Sequence, residues 1–502
     1  MFRGCISLLV VTVFACGGFL AADEPDFLQQ ALALEKTMQK IIVQAEPSIA
    51  CILVSRSDAY YREFGLPAPT DENPGKLGAF DSNLLADKRL PQEVQEKLRR
   101  MLDLADPAVV PQSFGSGVVI DKLDGLILTN YHVVRDAVKI FVRLPGKIGS
   151  YADIHAADPR SDLAVLRLLD QTLGQKLVQV RLGDGGKVQR GQFILSLANP
   201  FAAGFRDGQP SASWGILSNV RRRSPGMPRE EDGQRSLHHY GILLQTDARL
   251  NLGCSGGALL NLHGEMIGLT TSLAAIHGGE TPGGFAIPLD TGLRRIIDVL
   301  KRGEEVEYGF LGVAPIEVNG QVAIDRVTGG SPAALDGKLT FHDRILEVND
   351  QPIHDVDDLF LQLGTQLAGS RVRLKIKRGF RAEETVEVTL AKLLVPGKRI
   401  VSSLKNRPWE RGLRVDYASL VIQPRAASTD SIPSGVLVSE VKPGSPADLA
   451  KLRSGNIVTH VNNQRVLTPA GFYQAVQKVN GRLELTLGGA SSANPPVIIA
   501  IP

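Results

Sequence analysis

Three short stretches of the chain hold side chains able to carry out acyl transfer. Gly115-Ser116-Gly117, followed by Leu128-Thr129-Asn130-Tyr131-His132-Val133-Val134, sets a histidine at the end of a strand pattern. Ser161-Asp162-Leu163-Ala164-Val165-Leu166 opens an apolar strand with an aspartate. Gly253-Cys254-Ser255-Gly256-Gly257 crowds glycines around a serine, so the backbone can turn sharply and aim its amides inward. In such a set, Ser255 Oγ attacks a carbonyl and His132 takes its proton and returns it to the leaving amine. Asp162 fixes the imidazole tautomer and stabilises its cation. The backbone N–H groups of Gly253 and Ser255 would hold the oxyanion, each such donor being worth roughly 3 kcal/mol in the transition state.

Each residue also has a plainer reading. Asp162 could be a turn residue, His132 a satisfied core histidine, and the Gly-Ser-Gly-Gly run a loop. Their joint occurrence in the order His, Asp, Ser is what argues for chemistry. That order is found in barrel-type serine hydrolases and differs from the Ser, Asp, His order of α/β-hydrolases.

The elements that would position these residues are short strands. Gly117–Ile120, Leu126–Thr129, Val138–Leu144, Leu163–Leu168, Phe193–Leu197, Gly215–Val220, Ile242–Thr246, Ala258–Leu260 and Glu265–Thr271 are apolar or alternating runs bounded by Gly, Asp and Pro. Such spacing predicts an all-β barrel or sandwich. A helix is expected over 26–46, then a buried strand at Ser48–Ser55, and another helix over 290–302. Between them, 56–110 loses the pattern and reads as an insertion, with a short helix over 91–103.

Residues 329–353 (GGSPAALDGKLTFHDRILEVNDQPI) and 443–466 (PGSPADLAKLRSGNIVTHVNNQRV) form an approximate repeat. Each starts Gly-Ser-Pro-Ala, a sequence suited to cap and open a helix. Each is followed by a second helical stretch, 355–366 or 468–478, and a strand, 371–377 or 482–487. Two related modules therefore follow one larger domain. The apolar tail 495–502 is expected to pack or pair.

The 502 residues suggest about three domains. With 43% hydrophobic and 22% charged residues, the chain is neither mainly disordered nor a multi-span membrane protein. A net charge of +3 offers no footprint for nucleic acid. Residues 1–22 read as a secretory signal: Arg3, an apolar run from Ile6 to Leu20, then small residues before Asp23. Lipidation at Cys16 is the alternative. Without Cys5 and Cys16, the mature chain keeps Cys51 and Cys254, expected as free thiols. No Cys/His cluster has zinc spacing, and neither metal nor cofactor is expected.

These strings resemble the HtrA/Deg serine proteases, trypsin-like proteases followed by one or two PDZ domains. The resemblance spans roughly 45–490 and rests on GSGVVI, LTNYHVV, SDLAVLRL, LANPF, QTDARLNLGCSGGALLN, GLTTS and GFAIP. It implies a mainly β fold: a chymotrypsin-like double barrel over 23–304 with insertion 56–110, a PDZ domain over 305–395 and a second over 405–492. It also implies the triad His132, Asp162, Ser255, export to the periplasm or cell envelope, and a homotrimer or multiple of trimers. The implied activity is ATP-independent cleavage of unfolded or damaged proteins. A protease-like chaperone or peptide-binding scaffold with gated catalysis is the alternative. The carboxylate-binding loop of the first PDZ domain would be Phe310-Leu311-Gly312-Val313, and Gly412-Leu413-Arg414-Val415 is the nearest match in the second.

The chain departs from the family at Tyr131, Leu252 and Cys254, where Ala, Pro and Asn are usual. Gly268-Leu269-Thr270-Thr271 stands for Gly-Ile-Asn-Thr. With no acidic residue there, a small or medium aliphatic residue is expected before the cut.

Overall fold

The structure is a computed structural model that describes residues 27–56, 91, 93, 103–106, 113–223, 236–271, 283–395, 401–404, 407–421, 431–488 and 497–501. The expected signal segment, and nearly all of the 57–102 stretch with its expected helix, lie outside the described residues. Among the described residues no helix is long and apolar enough to cross a membrane.

Two closed six-stranded barrels make up the first part. Around the first run Ile148–Asp158, Lys139–Leu144, Ile49–Ser55, Ser113–Asp121, Leu126–Asn130 and Leu163–Leu168. Pairing of Ile148–Asp158 with Leu163–Leu168 closes the ring. The second runs Phe193–Ala198, Ser211–Arg222, Leu243–Thr246, Gly284–Pro288, Met266–Thr271 and Ala258–Leu260, closing back on Phe193–Ala198. Alternate side chains of a strand point to opposite faces, and the cores follow that rule. Val119, Ile127, Ala164 and Leu166 fill the first barrel. Their neighbours Val118, Leu126, Leu128, Leu163 and Val165 face outward to meet Leu195, Leu197, Ala258 and Leu260 of the second. The helix Thr291–Lys301, capped by Asp290, lays Leu293, Ile296, Ile297 and Leu300 on that same shared core.

The strand Ile148–Asp158 (IGSYADIHAAD) has no apolar run and is absent from the sequence reading. It forms because both its neighbours need a partner to close the ring. On its outer edge it accepts a seventh strand from far down the chain, Val401–Ser402, paired with Ala157 and Ala156.

Each later module is an antiparallel sheet with two helices. The first runs Val313–Val318, Gln321–Val327, Arg344–Val348, Arg371–Lys377 and Glu383–Thr389, with the helix Val356–Gly364 beside it. The second runs Leu413–Tyr417, Val436–Val441, Ile457–Val461, Leu483–Gly488 and Val497–Ile501, with the helix Pro469–Gln477. Ser331 and Ser445 cap the short helices that the repeat predicts. The apolar tail is a strand, antiparallel to Leu483–Gly488.

Candidate active site

His132 and Asp162 meet because their strands are in register. Leu126–Asn130 pairs with Leu163–Leu168 so that Asn130 lies opposite Leu163. His132 follows the first strand and Asp162 precedes the second, so both stand just beyond one end of one ladder. His132 Nδ1 is 2.8 Å from Asp162 Oδ2, and the His132 amide donates to Oδ1 at 2.9 Å. Asn130 Nδ2 donates to Oδ2 and to the Asp162 carbonyl, at 3.1 and 3.2 Å, and the Tyr131 amide donates to the same carbonyl. Asp162 takes a left-handed φ of +55°, which Asp tolerates better than most residues. Burial pushes its carboxyl pKa up, but the His132 charge and hydrogen bond outweigh burial and hold it below the ordinary range. His238, also buried, places Nε2 3.9 Å from Oδ2.

Ser255 comes from the second barrel, in the turn before Ala258–Leu260. Gly115 sits between the two halves of the site. A Cβ there would lie 2.5 Å from Val133, the neighbour of His132, and 3.3 Å from the Ser255 carbonyl oxygen. Gly256 has φ +89°, and a Cβ on it would lie 2.0 Å from the Ser116 carbonyl. Any side chain would push the serine turn off the first barrel.

The turn is held by its carbonyls. Leu252 O accepts from Phe201 N at 2.7 Å, Gly253 O from Ser116 Oγ at 2.8 Å, Cys254 O from Thr270 Oγ1 at 2.5 Å and Ser255 O from Ser116 N at 2.8 Å. In a trans peptide the N–H points opposite to the C=O. Pinning Leu252 O and Cys254 O therefore aims the amides of Gly253 and Ser255 away from Phe201 and Thr270. Ser116 and Thr270, both buried, do this; the sequence marks them only as members of Gly115-Ser116-Gly117 and Gly268-Leu269-Thr270-Thr271. Cys254 is buried and its thiol pKa is raised by burial, which makes it a packing residue. Cys51 is likewise a buried free thiol, with a pKa pushed up to about 12 by burial. Among the described residues no group of His, Cys, Asp and Glu could hold a metal.

Residues 115–269 match the family model of a trypsin-like peptidase domain, and 309–390 and 437–487 match PDZ domain models. A probable periplasmic serine endoprotease, DegP-like, from Pseudomonas fluorescens is 32% identical over 373 residues, covering 72% of this chain and 73% of the relative. A counterpart from Ectopseudomonas mendocina is 33% identical over 382 residues, covering 73% and 75%. The chain belongs to the HtrA family of DegP-like serine endoproteases. The periplasmic pH-dependent serine endoprotease DegQ of Escherichia coli is also similar, 30% identical over 395 residues, 75% of this chain and 78% of that one. The protein is thus an HtrA-type serine endopeptidase of the periplasm or cell envelope.

The PDZ domains of this HtrA protease superpose by their hydrogen bonds. Ala333 N donates to Leu311 O and Thr328 N to Gly312 O; Ala447 N donates to Arg411 O and Lys442 N to Gly412 O. Gly312 and Gly412 have φ of +89° and +86°, and a Cβ on either would overlap the capping serine, Ser331 or Ser445. The counterpart of Phe310–Val313 is therefore Glu410–Leu413. The sequence reading of Gly412–Val415 is two residues too far along, because the second loop lacks a Phe-Leu-Gly string to mark it.

The loops differ in what their amides do. Among the described residues no acceptor meets the amides of Leu311 and Gly312. In the second domain Leu413 N donates to Glu410 O at 2.8 Å, and Glu410 N donates back to Leu413 O. Val415 N, on the edge strand, donates to Tyr473 Oη at 3.2 Å, and that hydroxyl donates to Pro408 O at 3.1 Å. Arg414 stacks on Trp409 at 4.1 Å and pairs with Glu440 at 3.0 Å. The first domain instead leans on the protease. Phe360 stacks on Tyr240, and Asp357 and Asp358 pair with Arg223 and Arg221.

Proposed function

We propose that Ser255, His132 and Asp162 form the catalytic triad and that the amides of Gly253 and Ser255 bind the oxyanion. Ser255 Oγ attacks the substrate carbonyl and its proton passes to His132 Nε2. Asp162 holds Nδ1–H and stabilises the imidazolium. The tetrahedral intermediate collapses, the imidazolium protonates the leaving amine, and water then hydrolyses the acyl-enzyme by the same route. The observation that carries this reading is the joint one: a carboxylate bonded to His132, beside a serine turn whose four successive carbonyls, Leu252 to Ser255, are each held by a donor. Those bonds hold Leu252, Gly253 and Cys254 at the end of the 247–254 segment, which supports an active protease over the gated scaffold.

The substrates are unfolded or damaged proteins, and the first PDZ domain recruits peptide C-termini. A peptide adds as a strand to the open sheet edge while loop amides hold its carboxylate. The first domain fits that role through Leu311 and Gly312, whereas the edge of the second is occupied by Tyr473. Phe27, Leu28, Leu32 and Val43 are exposed along the helix Phe27–Ala45 and offer apolar surface for a homotrimer, which light scattering after size exclusion would test.

The deciding experiment incubates the purified chain with unfolded casein, alongside Ser255→Ala. Cleavage by the parent alone is expected. Equal cleavage by both rejects the triad.

A further inference from the structure

The turn that presents Asp162 is clamped from outside the protease barrels. Asp158 Oδ2 accepts from Ser161 N at 2.8 Å and from Ser161 Oγ at 2.7 Å, closing a turn that sets Asp162 at its left-handed φ. The same oxygen accepts the hydroxyl of Tyr308. Tyr308 is fully buried and lies on the segment leading into the first PDZ domain. Its ring stacks under Arg160, 4.2 Å from the guanidinium carbon, and Arg160 Nη1 donates to Gly364 O at the end of the PDZ helix. Burial, then the neighbouring Asp158 charge, raises the phenol pKa well above its ordinary value, so the hydroxyl keeps the proton it donates.

We propose that Tyr308 is a positioning residue for catalysis, acting through Asp158 and Ser161 to hold Asp162 against His132. It touches neither substrate nor reacting atoms. Its hydroxyl supplies a third donor to the oxygen that defines the turn, and it comes from a segment some 150 residues away. A misplacement of Asp162 by a fraction of an ångström would tilt the imidazole and slow attack by Ser255 without altering substrate contacts. The proposal rests on the triad assignment above.

Two readouts test it on the full chain. One is the rate at which a fluorophosphonate probe labels Ser255, which needs only the triad and the oxyanion site. The other is kcat and KM on a tetrapeptide p-nitroanilide with valine before the anilide, which has no terminal carboxylate for a PDZ domain. Tyr308→Phe keeps the ring under Arg160 and removes the hydroxyl. Labelling and kcat are expected to fall about tenfold with KM unchanged. Ser161→Ala is expected to do the same, and the double variant to be no slower than the slower single one. Parent-like labelling by either variant, or losses that multiply in the double, overturns the proposal. If Tyr308→Phe does not fold, Ser161→Ala decides alone. Failure of the parent to label would instead count against the triad.

Discussion

The two PDZ domains carry the same backbone frame, yet one helix position takes opposite roles in them. Phe360 in the first and Tyr473 in the second both lie five residues after the capping side chain, Asp355 or Thr468. Phe360 turns outward and stacks on Tyr240 of the protease. Tyr473 is buried, and its hydroxyl bridges the edge strand and the preceding segment through Val415 N and Pro408 O. One hydroxyl thus stitches the second edge to its own chain, and Phe360 has none to offer the first. The second domain is also anchored at a buried junction. Lys392 lies 3.6, 3.0 and 2.9 Å from Glu305, Glu307 and Asp416, and Arg407 bonds Glu307 at 2.6 Å. Fold identity, then, does not imply shared binding. The donors left over after internal pairing decide it.

The largest effect separates catalysis from both domains. Ser255→Ala is expected to reduce casein cleavage by about 10⁶-fold and Asp162→Asn by about 10⁴-fold. Neither should change how the first PDZ domain retains a pool of random decapeptides with free C-terminal carboxylates, measured by fluorescence anisotropy. Retention lost together with cleavage would mean that the domains and the triad are not separable.

Next is the junction. Lys392→Ala leaves Glu305, Glu307 and Asp416 with only Arg407 among these cations, and should destabilise the chain by about 3 kcal/mol in urea unfolding. An unchanged midpoint would show that the second domain is held elsewhere. Acid should act in the same direction. Burial raises the Glu307 pKa, but Lys392 and Arg407 outweigh it and hold the carboxyl below its ordinary range. Its stabilising contribution is therefore complete above the unfolded-state glutamate pKa and is lost as pH falls through the folded value. Urea midpoints compared at pH 7 and pH 4 should show that loss, and Lys392→Ala should flatten it.

The smallest effect bears most directly on the comparison. Tyr473→Phe should speed exchange of the Val415 amide about fivefold, the weight of one ordinary hydrogen bond. It should also let the decapeptide pool protect Leu413–Tyr417, which the parent does not allow. Protection of that strand in the parent would erase the distinction between the domains.

The residues proposed as the triad stand out in the sequence because glycine crowding and strand ends are local signals. His132, Asp162 and Ser255 each announce themselves within seven residues of sequence. An all-β barrel or sandwich was legible from short alternating strands, its double-barrel form only through the family resemblance, and the modules from the Gly-Ser-Pro-Ala repeat. What escaped is held by distant partners. Ile148–Asp158 is a strand because two others flank it, and Val401–Ser402 because that strand offers an edge. Ser116, Thr270, Asn130 and Tyr308 look like ordinary polar or aromatic residues until the turn or carboxylate that each grips is brought beside them. The second PDZ loop was misplaced because Glu-Arg-Gly-Leu shares only its glycine with Phe-Leu-Gly-Val.

The outermost strand of the first barrel, Val401–Ser402, has a consequence for biosynthesis. A ribosome releases Ile49–Leu168 long before it makes residue 401. Until then the rim at Ala156–Ala157 has no cover, and anything that binds exposed strand edges has a window in which to act. The nascent chain therefore covers that rim only after its first PDZ domain has emerged.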